Sequence, residues 1–201
     1  MLEEKILNGT LKSGEALTEA RVCEMTEVSR TPVREAMHRL ERDGLLRIEP
    51  NRSAVIVGID KQDLFDIYEV RRRIEGLASR RAALADAPLE KEQLREIVEM
   101  QEFFIGKGLG DKLKTLDGEF HDTVYAIGGS RIINETLSRL HRQIGLFRKR
   151  SMFAEGRAEA SVHEHRLICD AIARGDADAA EALTVSHIEN AYVNLCKVLE
   201  E

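Results

Sequence analysis

A chain of 201 residues, 43% hydrophobic and only 4% aromatic, is long enough for two small domains or one medium one built on aliphatic packing. Charged residues at 33% place it among soluble globular proteins, and no stretch approaches the roughly 20 apolar residues of a membrane span. The formal charge of −6 is uneven: residues 1–58 hold nine basic and ten acidic residues, while residues 59–201 hold 21 and 26, which excludes nucleic-acid binding by bulk charge in the larger part. Cys23, Cys169 and Cys196 make no CxxC pair and are odd in number, the pattern of free, reduced thiols in a cytoplasmic protein. Glu3, Glu4 and the lack of a long apolar run read against a secretory signal.

In chain order, Leu2 to Leu7 reads as the end of a first helix, stopped at Asn8-Gly9. Leu17 to Met25 suits a second helix with Leu17, Val22 and Met25 inward, and Thr26-Glu27-Val28 is a tight turn. Ser29 is then a suitable N-cap, and Pro32 falls in a first helical turn, where it is tolerated. Val33, Met37 and Leu40 share one face of the following helix, Arg30, Thr31 and Arg34 lie at its exposed front, and Gly44 ends it. Leu45–Glu49 and Ala54–Gly58 alternate as two strands around the polar turn Pro50–Ser53, with Arg52 at the tip. A lone basic amphipathic helix is ordinarily just a solvated one. Helix, turn, recognition helix and hairpin wing in succession are what a reader of the DNA major groove requires. Six Arg against four acids within residues 30–52 add a local positive face, whose DNA binding is expected to weaken with salt.

The run Ser29-Arg30-Thr31-Pro32-Val33-Arg34-Glu35-Ala36, followed by Leu40-Glu41-Arg42-Asp43-Gly44-Leu45, resembles the winged-helix domain of GntR-family bacterial transcription regulators. The approach Leu11–Glu19 is similar, with Ser13 in place of a usual Pro. The resemblance implies operator contacts by Ser29, Arg30, Thr31 and Arg34, and by Arg52 on the wing. Ala20 stands where members related to the fatty-acid regulators often carry Arg, and Ser53 where the wing often has Gly.

From Asp60 the period becomes helical. Leu64, Ile67, Val70, Ile74, Leu77 and Ala78 form one stripe. A second helix opens at Ala87-Pro88 and stops in Gly106–Gly110, a glycine run that reads as a helix stop because it follows no strand and lacks GKS or GKT. A third runs from about Asp111 to Ala126. A fourth starts near Ser130 and carries Ile133, Leu137, Leu140, Ile144 and Phe147. The last two span about Ala158–Arg174 and Ala177–Leu199. The fold expected is therefore mainly α: a winged helix-turn-helix over 1–58, then an all-α antiparallel bundle over 60–201.

Asp117 and His121 share a helix face at a spacing of four. His165 lies ten residues before Gly175 and His187 twelve after it, so antiparallel packing sets them at similar height. Buried together, three imidazoles and a carboxylate need partners, and a divalent metal satisfies all four. From the residues alone this reads equally as a metal site or as separately hydrogen-bonded core histidines. His38, His141 and His163 read as idle.

Asp117-Gly-Glu-Phe-His121, Glu164-His165-Arg166-Leu167-Ile168, Gly175-Asp176-Ala177 and Ser186-His187-Ile188 resemble the all-helical FCD effector domain of the FadR subgroup. The resemblance implies that Asp117, His121, His165 and His187 ligate a metal, and that Arg71 lies close to an effector pocket. Such a ligand set suits Zn²⁺, Ni²⁺, Mn²⁺ or Fe²⁺ and leaves coordination sites for a small carboxylate effector, which Arg71 and Arg148 would grip. The expected protein is a homodimeric, cytoplasmic repressor of a palindromic operator, with no membrane partner. The alternative is a mononuclear metal hydrolase on the same four ligands, but Glu119 points elsewhere and no general base stands beside the metal.

Overall fold

The computed structural model describes residues 2–49, 53–105, 107, 110–152 and 154–200. By packing it divides into two units: the residues up to Leu64 together with Arg142–Leu146, and the remainder, Phe65–His141 and Phe147 onward.

In the first unit, α1 (Leu2–Leu7) buries Leu2 and Ile6 and ends at Gly9, whose φ of 76° suits glycine. Strand β1 (Ala16–Thr18) precedes α2 (Glu19–Thr26), α3 (Arg30–Arg42), β2 (Leu46–Ile48) and β3 (Ser53–Ile56). The sheet order is β1-β3-β2, antiparallel throughout, with Leu17 opposite Ala54 and Arg47 opposite Val55. Leu17 therefore opens no helix. Thr18 caps α2, its Oγ1 accepting from Arg21 N at 3.2 Å, so the helix starts only at Glu19 and leaves Leu17 for strand pairing. Glu27 closes α2 in the left-handed region at φ 56°. Val33, Met37 and Leu40 of α3 pack with Leu17, Leu45 and Ile56 in one core. Gly44, at φ 78°, reverses the chain from α3 into β2. The turn between β2 and β3, with Arg52, lies outside the described residues.

The second unit is all helical: α4 (Lys61–Leu84, from Phe65 onward), α5 (Pro88–Ile105), α6 (Gly110–Ile127), α7 (Arg131–Gln143), α8 (Gly145–Met152), α9 (Arg157–Ala173) and α10 (Ala177–Glu200). Ala82, Leu94, Val98, Phe120, Leu137 and Ile172 are among its core residues. Gly128 is required where the chain leaves α6: a Cβ there would meet Ala78 O at 2.9 Å, and Arg81 Nε donates to Gly128 O at 2.8 Å.

Two expectations change here. The apolar run from Ile133 to Phe147 is not one helix but two, broken at Ile144. Leu137 belongs to the bundle core, whereas Ile144, also buried, lies in the Arg142–Leu146 segment that clusters with the first unit. On α4, Val70 and Leu77 are exposed at 40% and 43%, and Arg71 and Glu75 are buried in their stead. A polar pair four residues apart occupies the inward face because each neutralises the other.

Candidate functional site

The front of α3 is open. Ser29, Arg30, Thr31 and Arg34 are all exposed, and the Ser29 hydroxyl makes no capping bond, so it remains available as a donor and acceptor. Arg34 is held by Glu19 of α2 through Nε at 2.7 Å and Nη2 at 2.9 Å. This bidentate pair fixes the direction of the side chain while half its surface stays open.

In the second unit, six helices converge on one polar cluster. From α4 come Arg71 and Glu75, from α6 Asp117, His121 and Tyr125 at successive spacings of four, and from α7 His141. Arg148 comes from α8, Arg157, Glu164 and His165 from α9, and His187 from α10. The imidazoles of His121, His165 and His187 offer nitrogen atoms within 4.8 Å of one another, all from buried residues. Phe120 stacks on the His165 ring at 3.9 Å between centroids.

Two of the rings are fixed by hydrogen bonds at Nδ1, and the third stands beside a carboxylate. His165 Nδ1 lies 2.9 Å from Gln101 Oε1, His187 Nδ1 lies 2.6 Å from Glu164 Oε2, and His121 Nδ1 lies 3.1 Å from Glu75 Oε2. A ring that donates through Nδ1 presents the lone pair of Nε2. His121 Nε2 and His165 Nε2 are buried with no hydrogen-bond partner among the described residues. Two inward lone pairs left without donors are costly in a protein core unless a cation accepts them.

Asp117 borders this group. Its Oδ1 lies 3.8 Å from His165 Nε2, while its Oδ2 accepts from Arg148 Nη2. Burial acts to raise the Asp117 carboxyl, but Arg148, with His121, His165 and His187 nearby, holds it well below the usual carboxylate range. Burial lowers His165 and His187, the former far below the ordinary imidazole value, so both are neutral near pH 7 as ligands must be. Glu164, opposed by burial but bonded to His187 and Arg157, is lowered to about 2. The neutral His165 and His187, the His121 ring and an ionised carboxylate make a donor set that fits a divalent transition ion.

A second trio, Glu75, His121 and His141, is equally compact and buried. It differs in already holding cations. Arg71 Nε donates to Glu75 Oε1 at 2.6 Å, and Arg71 Nη2 and Arg148 Nη1 lie 3.0 and 2.8 Å from the two His141 ring nitrogens. Tyr125 Oη adds a contact to His141 Nε2 at 2.9 Å. Burial and the two arginines push His141 far down, so its ring is neutral. Two guanidiniums in contact make this trio a poor place for a dication. His141, expected to be idle, instead joins the two arginines, whereas His38 and His163 are exposed.

A cavity of about 30 Å³, room for a couple of water-sized groups, is lined by Tyr68, Arg71, Asp117, His121, Arg148 and His187 among others. Arg71 Nη1 is buried there without a partner among the described residues. Sequence reasoning did not find Glu75, Gln101 or Glu164. Glu75 left a signal in its spacing of four from Arg71 and Glu164 in the motif that precedes His165, but neither pointed to a role. The three cysteines are free, and burial pushes the Cys169 thiol up to about 11.

No described helix is long and apolar enough to cross a membrane. The family of bacterial regulatory proteins named gntR matches residues 1–56, and the FCD domain family matches residues 66–190. An uncharacterized HTH-type transcriptional regulator of Bacillus subtilis, YdhC, is 30% identical over all of this chain and 90% of its own length. The HTH-type transcriptional repressor RspR of Escherichia coli is 26% identical over all of this chain and 88% of its own. The solved structure of E. coli McbR/YncC shares the fold, with a TM-score of 0.75 at 22% identity over 98% of this chain and 93% of that one. The chain belongs to the GntR family of transcriptional regulators, in the group that carries an FCD domain.

Proposed function

We propose that this regulator is a repressor that reads operator DNA with Ser29, Arg30, Thr31, Arg34 and the wing residue Arg52, and that it answers to a small organic acid. The DNA-reading part is residues 1–58. Residues 60–201 hold the effector and pair two chains into a homodimer, so that two recognition helices face a palindrome. The repressor role is supported by the name of the relative RspR.

Asp117, His121, His165 and His187 would hold a divalent Zn, Ni, Mn or Fe ion. One observation carries this reading: His121, His165 and His187 meet with nitrogen atoms within 4.8 Å of one another, Gln101 and Glu164 hold two of the rings through Nδ1, and the Nε2 atoms of His121 and His165 are buried unpartnered among the described residues. A bound ion would supply an electrophilic point for a carboxylate oxygen. Arg71, with Nη1 unpartnered at the cavity, and Arg148, on its other side, would take the rest of the carboxylate by paired N–H bonds. His141 and Arg148 flank the Arg142–Leu146 segment that clusters with the first unit, the second unit resuming at Phe147. A ligand would bias DNA affinity only by its unequal affinity for two states of the chain.

The test is an operator obtained by repeated selection from random duplexes, titrated with the wild type and Arg34→Ala. A loss of about 1–3 kcal/mol is expected if Arg34 meets a base edge. Equal isotherms would remove Arg34 from the reading set.

A further inference from the structure

We propose that Arg148 makes ion binding at the histidine cluster depend on an accompanying anion. The inference rests on the reading that His121, His165 and His187 hold a divalent ion, and it adds how that site is regulated. The argument is a charge tally of the buried groups around the cavity. Arg71 is neutralised by Glu75, with Nε and Oε1 2.6 Å apart. Arg157 is neutralised by Glu164 through two bonds of 2.9 Å. Arg148, with 18% of its side chain exposed, is neutralised by Asp117. The cluster is thus balanced by three ion pairs without any ion at the imidazoles.

Asp117 is the shared member. Its Oδ2 is engaged by Arg148, and its Oδ1 faces His165 Nε2. A dication that draws on Asp117 takes charge already committed to Arg148. It also sits beside a guanidinium that is held in place by His141 Nδ1 at 2.8 Å. Two positive charges are left uncompensated in a buried pocket, which is strongly unfavourable. A carboxylate entering the same cavity offsets one of the two, and Arg148 and the unpartnered Nη1 of Arg71 line the place it would take. Ion and anion then raise each other's affinity by the same factor, as linkage requires. Arg148 acts here through Asp117 and the anion. Only removal of a repelling charge, as opposed to removal of a support, tightens ion binding.

The experiment titrates Ni²⁺ into the metal-stripped full chain by competition with a chromophoric chelator, with and without acetate at constant ionic strength. The wild type should bind Ni²⁺ about tenfold more tightly with acetate. Arg148→Met should bind Ni²⁺ more tightly than the wild type without acetate and gain less from it than the wild type does. Arg148→Lys, which keeps the charge, should bind weakly without acetate as the wild type does. Wild-type affinity indifferent to acetate overturns the proposal, and so does weaker Ni²⁺ binding in Arg148→Met, which would make Arg148 a support for Asp117. Wild type that takes up no Ni²⁺ under either condition overturns the ion-site reading itself, and this inference with it.

Discussion

The two units use buried positions in opposite ways. In the first, the α3 core face carries only Val33, Met37 and Leu40, and every charged residue at its front is exposed. In the second, α4, α6 and α9 turn charged or titratable groups inward, among them Arg71, Glu75, Asp117, His121 and His165. An apolar core sets a shape that a neighbouring surface can present to a large partner. A buried polar cluster stores desolvation cost, which a small charged ligand can relieve. The contrast fits a unit that reads DNA and a unit that responds to a ligand.

Predictions that break or sharpen this contrast run from large to small. Glu75→Ala leaves the Arg71 guanidinium buried without its counter-charge and should cost about 3–5 kcal/mol of stability. Urea unfolding measures this, and a cost below that of an ordinary surface change would mean that Arg71 finds another acceptor. In the first unit, Leu17→Ala should cost about 2–5 kcal/mol through a lost side chain and a cavity, with no dependence on pH. Gln101→Leu and Glu164→Gln should each weaken metal binding about 10–100-fold, since the rings they aim become free to turn. Unchanged metal affinity in both would reduce these residues to packing. Glu27→Gly, at a left-handed position, should raise stability by no more than about 1 kcal/mol, the smallest effect.

The contrast also has a pH signature. Burial depresses His141 and His165 below the ordinary imidazole value of 6.5, so below that pH the unfolded chain binds protons that the folded chain refuses. Metal-free protein should therefore lose stability as pH falls from 6.5, by about 1.4 kcal/mol per unit for each such histidine. Glu164, lowered from 4.5 to about 2, contributes stability above 4.5 that disappears only between those values. Thermal melts across pH 8 to 5 check the first window. A flat profile there would mean that the histidines protonate freely in the folded state.

Much of the first unit is legible because its signals are local. The helix start at Ser29, the stripe on α3 and the stop at Gly44 lie within one helix and its ends. Leu17 is misread because its strand partner Ala54 is far along the chain. In the second unit, the spacing argument sets His165 and His187 at one height, and their ring centroids lie 4.7 Å apart. The helix stripe fails on α4, where a charge pair takes the place that apolar periodicity assigns to Val70 and Leu77. Gln101 sits 64 residues from His165, and Glu75 sits 66 from His141, so no sequence pattern announces either contact. Polar partnerships of this kind are set by tertiary packing, and their members look like surface residues until the helices are assembled.

The most direct test of the central claim, that the three clustered imidazoles hold a divalent ion, is elemental analysis of the purified chain beside His121→Ala and His187→Ala. Near one transition-metal ion per chain, lost in both variants while their helical content is kept, is the expected result. No metal in the wild type, even after exposure to Zn²⁺, Ni²⁺ or Mn²⁺, would contradict it.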